Sequence, residues 1–298
     1  MTRVLCIGLA GQDFIFSVDT LPSRPEKYRS RGMIAAGGGL AATAAVAAAR
    51  LGGQVSLATR LGDDWIADHI LQELASYGVD CTSCRRFAGR RSSVSAVLVT
   101  ASGERLIVNH SDDRVPDDAS WLPPLPPSTR AVHGDMRWEA GSRRYLEEAR
   151  RAGIPGVLDV DRAPEDQTLI GLASHAAFST QAVTELLGPH DPGDAVARLA
   201  RLHGTWVAVT DGGRGTWFGA AGEVRHQPAF PIIPVDTLGA GDVFHGALTI
   251  ALGEGQEEAE AVRFASAAAA LKCQRFGGRL GAPTRAETEA FLAQAGVP

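Results

Sequence analysis

Residues 236–248 read Asp236-Thr237-Leu238-Gly239-Ala240-Gly241-Asp242-Val243-Phe244-His245-Gly246-Ala247-Leu248. Three small residues followed by an apolar stretch mark the point where a loop turns into a helix. Gly239, Ala240 and Gly241 carry almost no side chain, so the backbone can approach a ligand closely. The N–H groups of a first helical turn lack partners within the helix, and the positive end of the helix dipole lies there too. Such a mouth is an anion cradle suited to a phosphate in transfer. Asp242 stands beside it in the first turn. A carboxylate placed there can accept the proton of a hydroxyl as that hydroxyl attacks phosphorus. A plain helix cap needs one Asp and no Gly-Ala-Gly before it.

Around this stretch, strands and helices alternate. Val4-Leu5-Cys6-Ile7-Gly8 reads as a buried strand, and Val55 to Thr59 as another. Ala41 to Leu51 reads as an alanine-rich helix stopped by Gly52-Gly53. Asp64 to Tyr77 reads as an amphipathic helix. Ser92 to His110 alternates with period two around a turn at Gly103-Glu104, the mark of an antiparallel flap outside the main sheet. Pro116 to Pro127 holds five prolines and is a connector. Strands are then expected at Ala131–His133, Gly156–Val160, Ala176–Phe178 and Trp206–Thr210, and helices at Ser142–Ala152 and Thr180–Leu187. Two helices, Ala240–Leu252 and Glu257–Lys272, are expected to close the chain. The fold class is α/β: a doubly wound, mostly parallel sheet flanked by helices, with ligands at the carboxyl ends of its strands.

Composition narrows the function. The chain has 298 residues, 45% apolar and 21% charged, with a formal charge of −5. A net-acidic surface argues against nucleic acid and against a membrane patch. Met1 to Ile7 reads as a strand rather than a signal peptide, and four cysteines make no disulfide framework, so the expected compartment is the cytoplasm. Gly8-Leu9-Ala10-Gly11 lacks the third glycine of a dinucleotide turn. Lysine is rare: only Lys27 and Lys272 stand among 29 basic residues.

Gly37-Gly38-Gly39 before the alanine helix, with Asp236 to Asp242 far downstream, resembles the two signatures of the ribokinase-like (PfkB) carbohydrate kinases. The resemblance runs nearly the full chain. It implies one kinase domain over residues 1–298, with a small β-sheet lid from about residues 14–35 and 90–110. It also implies phosphoryl transfer from ATP with Mg2+ to a sugar hydroxyl. Asp242 would then be the base, and the amides of Gly239, Ala240, Gly241 and Asp242 the anion hole. Asp13, Gly37, Gly38 and Thr43 would hold the sugar. Thr210, Gly213 and Gly215 match the nucleotide-side turn, and Ala269, Gly277 and Gly278 the adenine side. Asp236 and Thr237 would border a monovalent-cation site for K+. Lids of the family often pair, which implies a homodimer. The chain departs from the family's Asn-x-x-Glu, carrying Ser179-Thr180-Gln181-Ala182 instead, so Mg2+ needs another route.

Gly37 to Thr43, Asp135-Met136-Arg137-Trp138 and Leu271 to Arg279 are similar to a narrower group, the 6-deoxy-6-sulfofructose kinases. These phosphorylate the C1 hydroxyl and hold the sulfonate at positions matching Lys27, Asn109 and Arg137. A sulfonate has three acceptor oxygens and no proton to give, so Lys and Arg suit it. Other acceptors stay open: fructose, fructose 6-phosphate, 2-keto-3-deoxygluconate or a nucleoside. So does a catalytically silent sugar or nucleotide sensor.

Overall fold

A computed structural model describes residues 1–100 and 104–296, so Gly103 of the expected flap turn lies outside the described residues. In chain order the strands are β1 (Arg3–Ile7), β2 (Gly11–Val18), β3 (Gly32–Gly38), β4 (Gln54–Gly62), β5 (Asp80–Phe87), β6 (Ser93–Thr100), β7 (Arg105–His110), β8 (Ala131–Asp135), β9 (Gly156–Val160), β10 (His175–Ser179), β11 (Trp206–Thr210), β12 (Thr216–Gly219) and β13 (Arg225–Gln227). The helices are α1 (Leu40–Arg50), α2 (Trp65–Ser76), α3 (Glu139–Ala152), α4 (Thr180–Leu187), α5 (Pro192–His203), α6 (Ala240–Gly253), α7 (Glu258–Cys273) and α8 (Arg285–Gln294).

Nine strands form the main sheet, in the order β13-β12-β11-β10-β9-β8-β1-β4-β5. From β11 to β5 every pairing is parallel, and β12 and β13 add an antiparallel edge. Each residue of β8 and β9 is buried, as expected of strands covered on both faces. One core lies between the sheet and α1, α2, α6 and α7; the other packs α3, α4 and α5 on the opposite face. Among the described residues no helix is long and apolar enough to cross a membrane.

The small sheet runs β3-β2-β6-β7. β6 and β7 form the expected antiparallel flap outside the main sheet, and β2 joins it by pairing in parallel with β6, so the small sheet as a whole is mixed. β2 and β6 follow parallel strands of the main sheet, β1 and β5, and leave the body in the same direction. On the face turned to the cleft, Ile15, Ala36, Val97 and Val99 bury one another together with Ile34 and Leu238, so the small sheet docks on the loop before α6.

Five elements escape the sequence reading: β5, β12, β13, α5 and α8. Thus α8, not α7, is the last helix. Its apolar periodicity is weak, with Thr288 its one fully buried residue, and its local signal is the Thr284–Glu287 capping box. The helices that matter most cross closely. A Cβ on Gly246 of α6 would lie 2.3 Å from the Ala44 carbonyl oxygen of α1, so the glycine permits backbone-to-backbone contact. That crossing brings together two glycine motifs about 200 residues apart in sequence.

Candidate active site

Gly239 enters α6 with φ of 75°, a left-handed turn that favours glycine. The Ala240 N–H donates to the Thr237 carbonyl at 3.3 Å, and the Val243 N–H to that of Gly239 at 3.0 Å. Of the expected donors from Gly239 to Asp242 only the Ala240 N–H is thus engaged, which leaves the N–H groups of Gly239, Gly241 and Asp242 free at the mouth. Asp242 and His245, three residues apart, share one face of α6. The Asp242 carboxylate, the Asp159 carboxylate and a ring nitrogen of His245 all lie within 4.8 Å of one another. His245 Nδ1 is 2.9 Å from Asp159 Oδ2, close enough for an ion pair though not aligned as a hydrogen bond.

Burial, then the Asp159 charge, pushes Asp242 up to about 8, with His245 pulling the other way. Burial would lower His245, but Asp159 and Asp242 outweigh it and raise it. A carboxylate tuned towards neutrality is a better proton acceptor for an alcohol than an ordinary aspartate. Asp159 lies opposite Asp135 in register. Asp135, fully buried, accepts from the Leu9 N–H at 2.8 Å, the Ala41 N–H at 3.0 Å and the Arg137 N–H at 2.8 Å. It thus caps α1, which has no side-chain cap of its own.

On the small sheet, Asp13, Ser95 and Asn109 sit in one cross-strand row of β2, β6 and β7, their side chains on the same face. Ser95 hydrogen-bonds to Asp13, and Asn109 Nδ2 donates to Ser95 Oγ at 3.4 Å. Burial raises Asp13, while Ser95 and Arg279 pull it down. Gly37 and Gly38 make room for charge: a Cβ on Gly37 would lie 1.5 Å from Arg279 Nη2, and one on Gly38 would lie 2.3 Å from Asp13 Oδ2. Arg279 is buried, and its Nε donates to Glu73 at 2.9 Å. Thr43 is buried where the motifs meet, its Cγ2 3.5 Å from the point a Gly239 Cβ would occupy. The three residues matched to the sulfonate grip are not gathered here. Lys27 is exposed on the β2–β3 connection, Asn109 is exposed on β7, and Arg137 is ion-paired with Asp161.

Beyond the mouth of α6 opens a cavity of 710 Å³. Thr210, Gly213, Gly215 and Ala269 line it as expected, together with Ala240 and Gly241. Phe230, Pro231, Ile232 and Phe244 supply apolar walls, and the buried Ser266 Oγ has no partner. One end is thus apolar and the other rich in amides, a shape that suits a nucleotide. Gly277 and Gly278 do not line it. Their N–H groups donate to Asp236 Oδ2 at 3.0 and 2.9 Å.

With this geometry, a family model described as "pfkB family carbohydrate kinase" matches residues 1–285. The chain belongs to the PfkB family. It is 30% identical to a ribokinase of Bacillus subtilis, over 98% of this chain and 100% of that one. It is 32% identical to a fructokinase of Klebsiella pneumoniae, over 72% and 76%. A solved structure of a ribokinase candidate from Agrobacterium tumefaciens superposes with a TM-score of 0.93 at 38% identity, over 98% of both chains. The chain is accordingly a carbohydrate kinase, a phosphotransferase with an alcohol acceptor.

As a PfkB member it departs from expectation at Asp236 and Thr237. Asp236 is buried, and its carboxylate already binds Lys272 Nζ at 3.2 Å besides the Gly277, Gly278 and Leu238 N–H groups. Thr237 Oγ1 accepts from Arg105 at 3.0 Å. These residues do not fit a free K+. The sequence reading missed Asp135, Asp159, Asp161, Ser95, Arg279 and the role of Lys272. Lys272 carried a signal in its rarity as a residue type, and Asp135 and Arg279 stood inside the stretches that carry the narrower resemblance without a role being read from them.

Proposed function

We propose that this PfkB kinase uses ATP to phosphorylate the C1 hydroxyl of a ketose with an anionic distal end, 6-deoxy-6-sulfofructose fitting best. The observation that carries the reading is the polar row Asp13–Ser95–Asn109. It crosses two inter-strand steps, about 10 Å, long enough for a six-carbon sugar with a terminal group. Asp13 grips hydroxyls near the reacting end. Asn109 supplies a donor at the far end, and Lys27 and Arg137, which stand apart from it here, would have to swing in to join it on binding. The fructokinase relative supports a ketose in a coarser way.

The 710 Å³ cavity takes the nucleotide, its phosphates at the α6 mouth. The sugar C1 oxygen forms its bond to the γ-phosphorus as the bond from phosphorus to the bridging oxygen breaks, and ADP leaves. The hydroxyl proton goes to Asp242. The Gly241 and Asp242 N–H groups hold charge on the moving phosphoryl group, so positioning and electrostatics carry most of the catalysis. The residues fit Mg2+ at the ends of β9 and α6, where Asp161 Oδ1 is buried without a partner and Asp159 lies close by. Bound there with ATP, Mg2+ would neutralise phosphate charge. Ser179, at the first Asn-x-x-Glu position, is occupied in capping α4.

The outer face of the small sheet carries Phe16, Met33, Leu98, Leu106 and Val108, with Met33 and Val108 53% and 61% exposed, and supports a homodimer formed face to face. A second reading, a neutral sugar, is favoured by Arg137 being already paired with Asp161. ADP release with 6-deoxy-6-sulfofructose, fructose 6-phosphate, fructose and ribose separates the two. The proposal expects the highest kcat/KM on the sulfonate, with the phosphate at C1 of the product. A clear preference for fructose or ribose overturns the anionic reading. No turnover on any sugar, with binding kept, would mark a sensor.

A further inference from the structure

We infer that the Lys272 ammonium is the resident monovalent cation of this kinase, a tethered charge that holds the Asp236–Asp242 loop in its working shape and makes K+ unnecessary. Lys272 lies in the last turn of α7 with no solvent exposure. Its Nζ donates to the Asp236 carbonyl at 2.7 Å and lies 3.2 Å from Asp236 Oδ2. A backbone carbonyl and a carboxylate oxygen are the hard donors an alkali cation would use. The same Oδ2 accepts the Gly277 and Gly278 N–H groups and Oδ1 accepts that of Leu238 at 2.8 Å, so the carboxylate is saturated. Arg105 brings a second positive charge to Thr237, next in the chain, so a third cation would meet repulsion as well as a filled site.

The residue type matters. Twenty-seven of the chain's 29 basic residues are arginines, yet this buried position keeps a lysine. An ammonium is a compact point charge with three donors, whereas guanidinium is a wide planar fork suited to paired acceptors. Only the ammonium mimics a small spherical ion. Asp236 stands three residues before Gly239, and Leu238 between them belongs to the apolar contact with the small sheet. Lys272 touches no reacting atom; it is a positioning residue acting through this loop on the Gly241 and Asp242 donors.

The inference rests on the carbohydrate-kinase assignment and not on which sugar is used. The test compares wild type with Lys272→Ala in buffer freed of K+ and NH4+, with tetramethylammonium as counter-ion, while K+, NH4+ or ethylammonium is added. Wild-type turnover should stay flat. Lys272→Ala should lose about 10–100-fold in kcat, the size of effect expected from misplaced catalytic groups, and recover part of it with each added cation, while the KM for the sugar moves little. Its melting temperature should also rise with K+ while that of wild type does not, a readout that needs no substrate. Severalfold activation of wild type by K+ overturns the inference, as does a variant that is fully active without cations or is rescued by none. If Lys272→Ala fails to fold, Lys272→Met and the wild-type K+ titration decide.

Discussion

The floor and the rim of the cleft are built differently. On the floor, Asp135, Asp159, Asp236, His245, Lys272 and Arg279 are each at most 4% exposed, and most have two or more polar partners. At the rim, Lys27, Asn109 and Arg137 are exposed, on three separate segments. Charges buried on the floor cannot be removed singly without stranding a partner. Rim charges can be exchanged at little cost to the fold. On the function proposed above, phosphoryl chemistry would be locked into the core of the scaffold, while the choice of acceptor would rest on groups free to vary.

The sharpest break on the floor is Asp242→Asn. Loss of the base should lower kcat by about 10²–10⁴-fold with sugar affinity largely kept. Stability should move the opposite way. Asp242 is raised from 3.8 to about 8 in the fold, so stability is complete below the unfolded value and declines as pH climbs towards 8. Asn carries no such charge. The variant should therefore melt above wild type at pH 8, with the gap closing towards pH 4. Wild-type kcat/KM should rise through the neutral range rather than level off near pH 5. A variant with full turnover would remove Asp242 from the reaction, and one that melts lower at pH 8 would mean the carboxylate is not strained.

A smaller effect is expected where floor meets rim, at Asp13. Asp13→Asn removes charged hydrogen bonds to the sugar, worth about 1.5–3 kcal/mol each, or roughly 10–100-fold in kcat/KM. Gly38→Ala should give a similar loss by another route, since its Cβ would lie 2.3 Å from Asp13 Oδ2 and push the carboxylate aside. Sugar titrations should show both variants weakened while nucleotide binding is unchanged. Unaltered sugar affinity in Gly38→Ala would show that the glycine does not seat Asp13.

The division between floor and rim also explains what could be read from sequence. The Gly-Ala-Gly mouth and Asp242 were legible because a loop-to-helix turn has a local pattern, and so were the alanine helix and the central strands. Asp159 and Asp135 were not, because each reads as one polar residue at the end of a buried strand; only the register of β8 on β9 and the crossing of α6 give them a role. Gly277 and Gly278 were placed beside the nucleotide by resemblance, yet their N–H groups turn to Asp236, a contact between residues about 40 apart. Strand β5 was missed as a polar edge strand, and α8 because its periodicity is faint.

The smallest expected effect sharpens the rim. Arg137 pairs with Asp161, their side chains 37% and 22% exposed, so Arg137→Met should change stability by only about 0–1 kcal/mol. Its effect on substrate choice should be larger. Removing a cation that can turn from Asp161 to a ligand anion costs that ligand a charge-assisted hydrogen bond, about tenfold in kcat/KM. A neutral ketose makes no such bond and should be turned over nearly as by wild type. Side-by-side kinetics on a sulfonated or phosphorylated ketose and on fructose read this difference directly. Equal losses on both would show that Arg137 braces the end of β9 through Asp161 and takes no part in reading the acceptor.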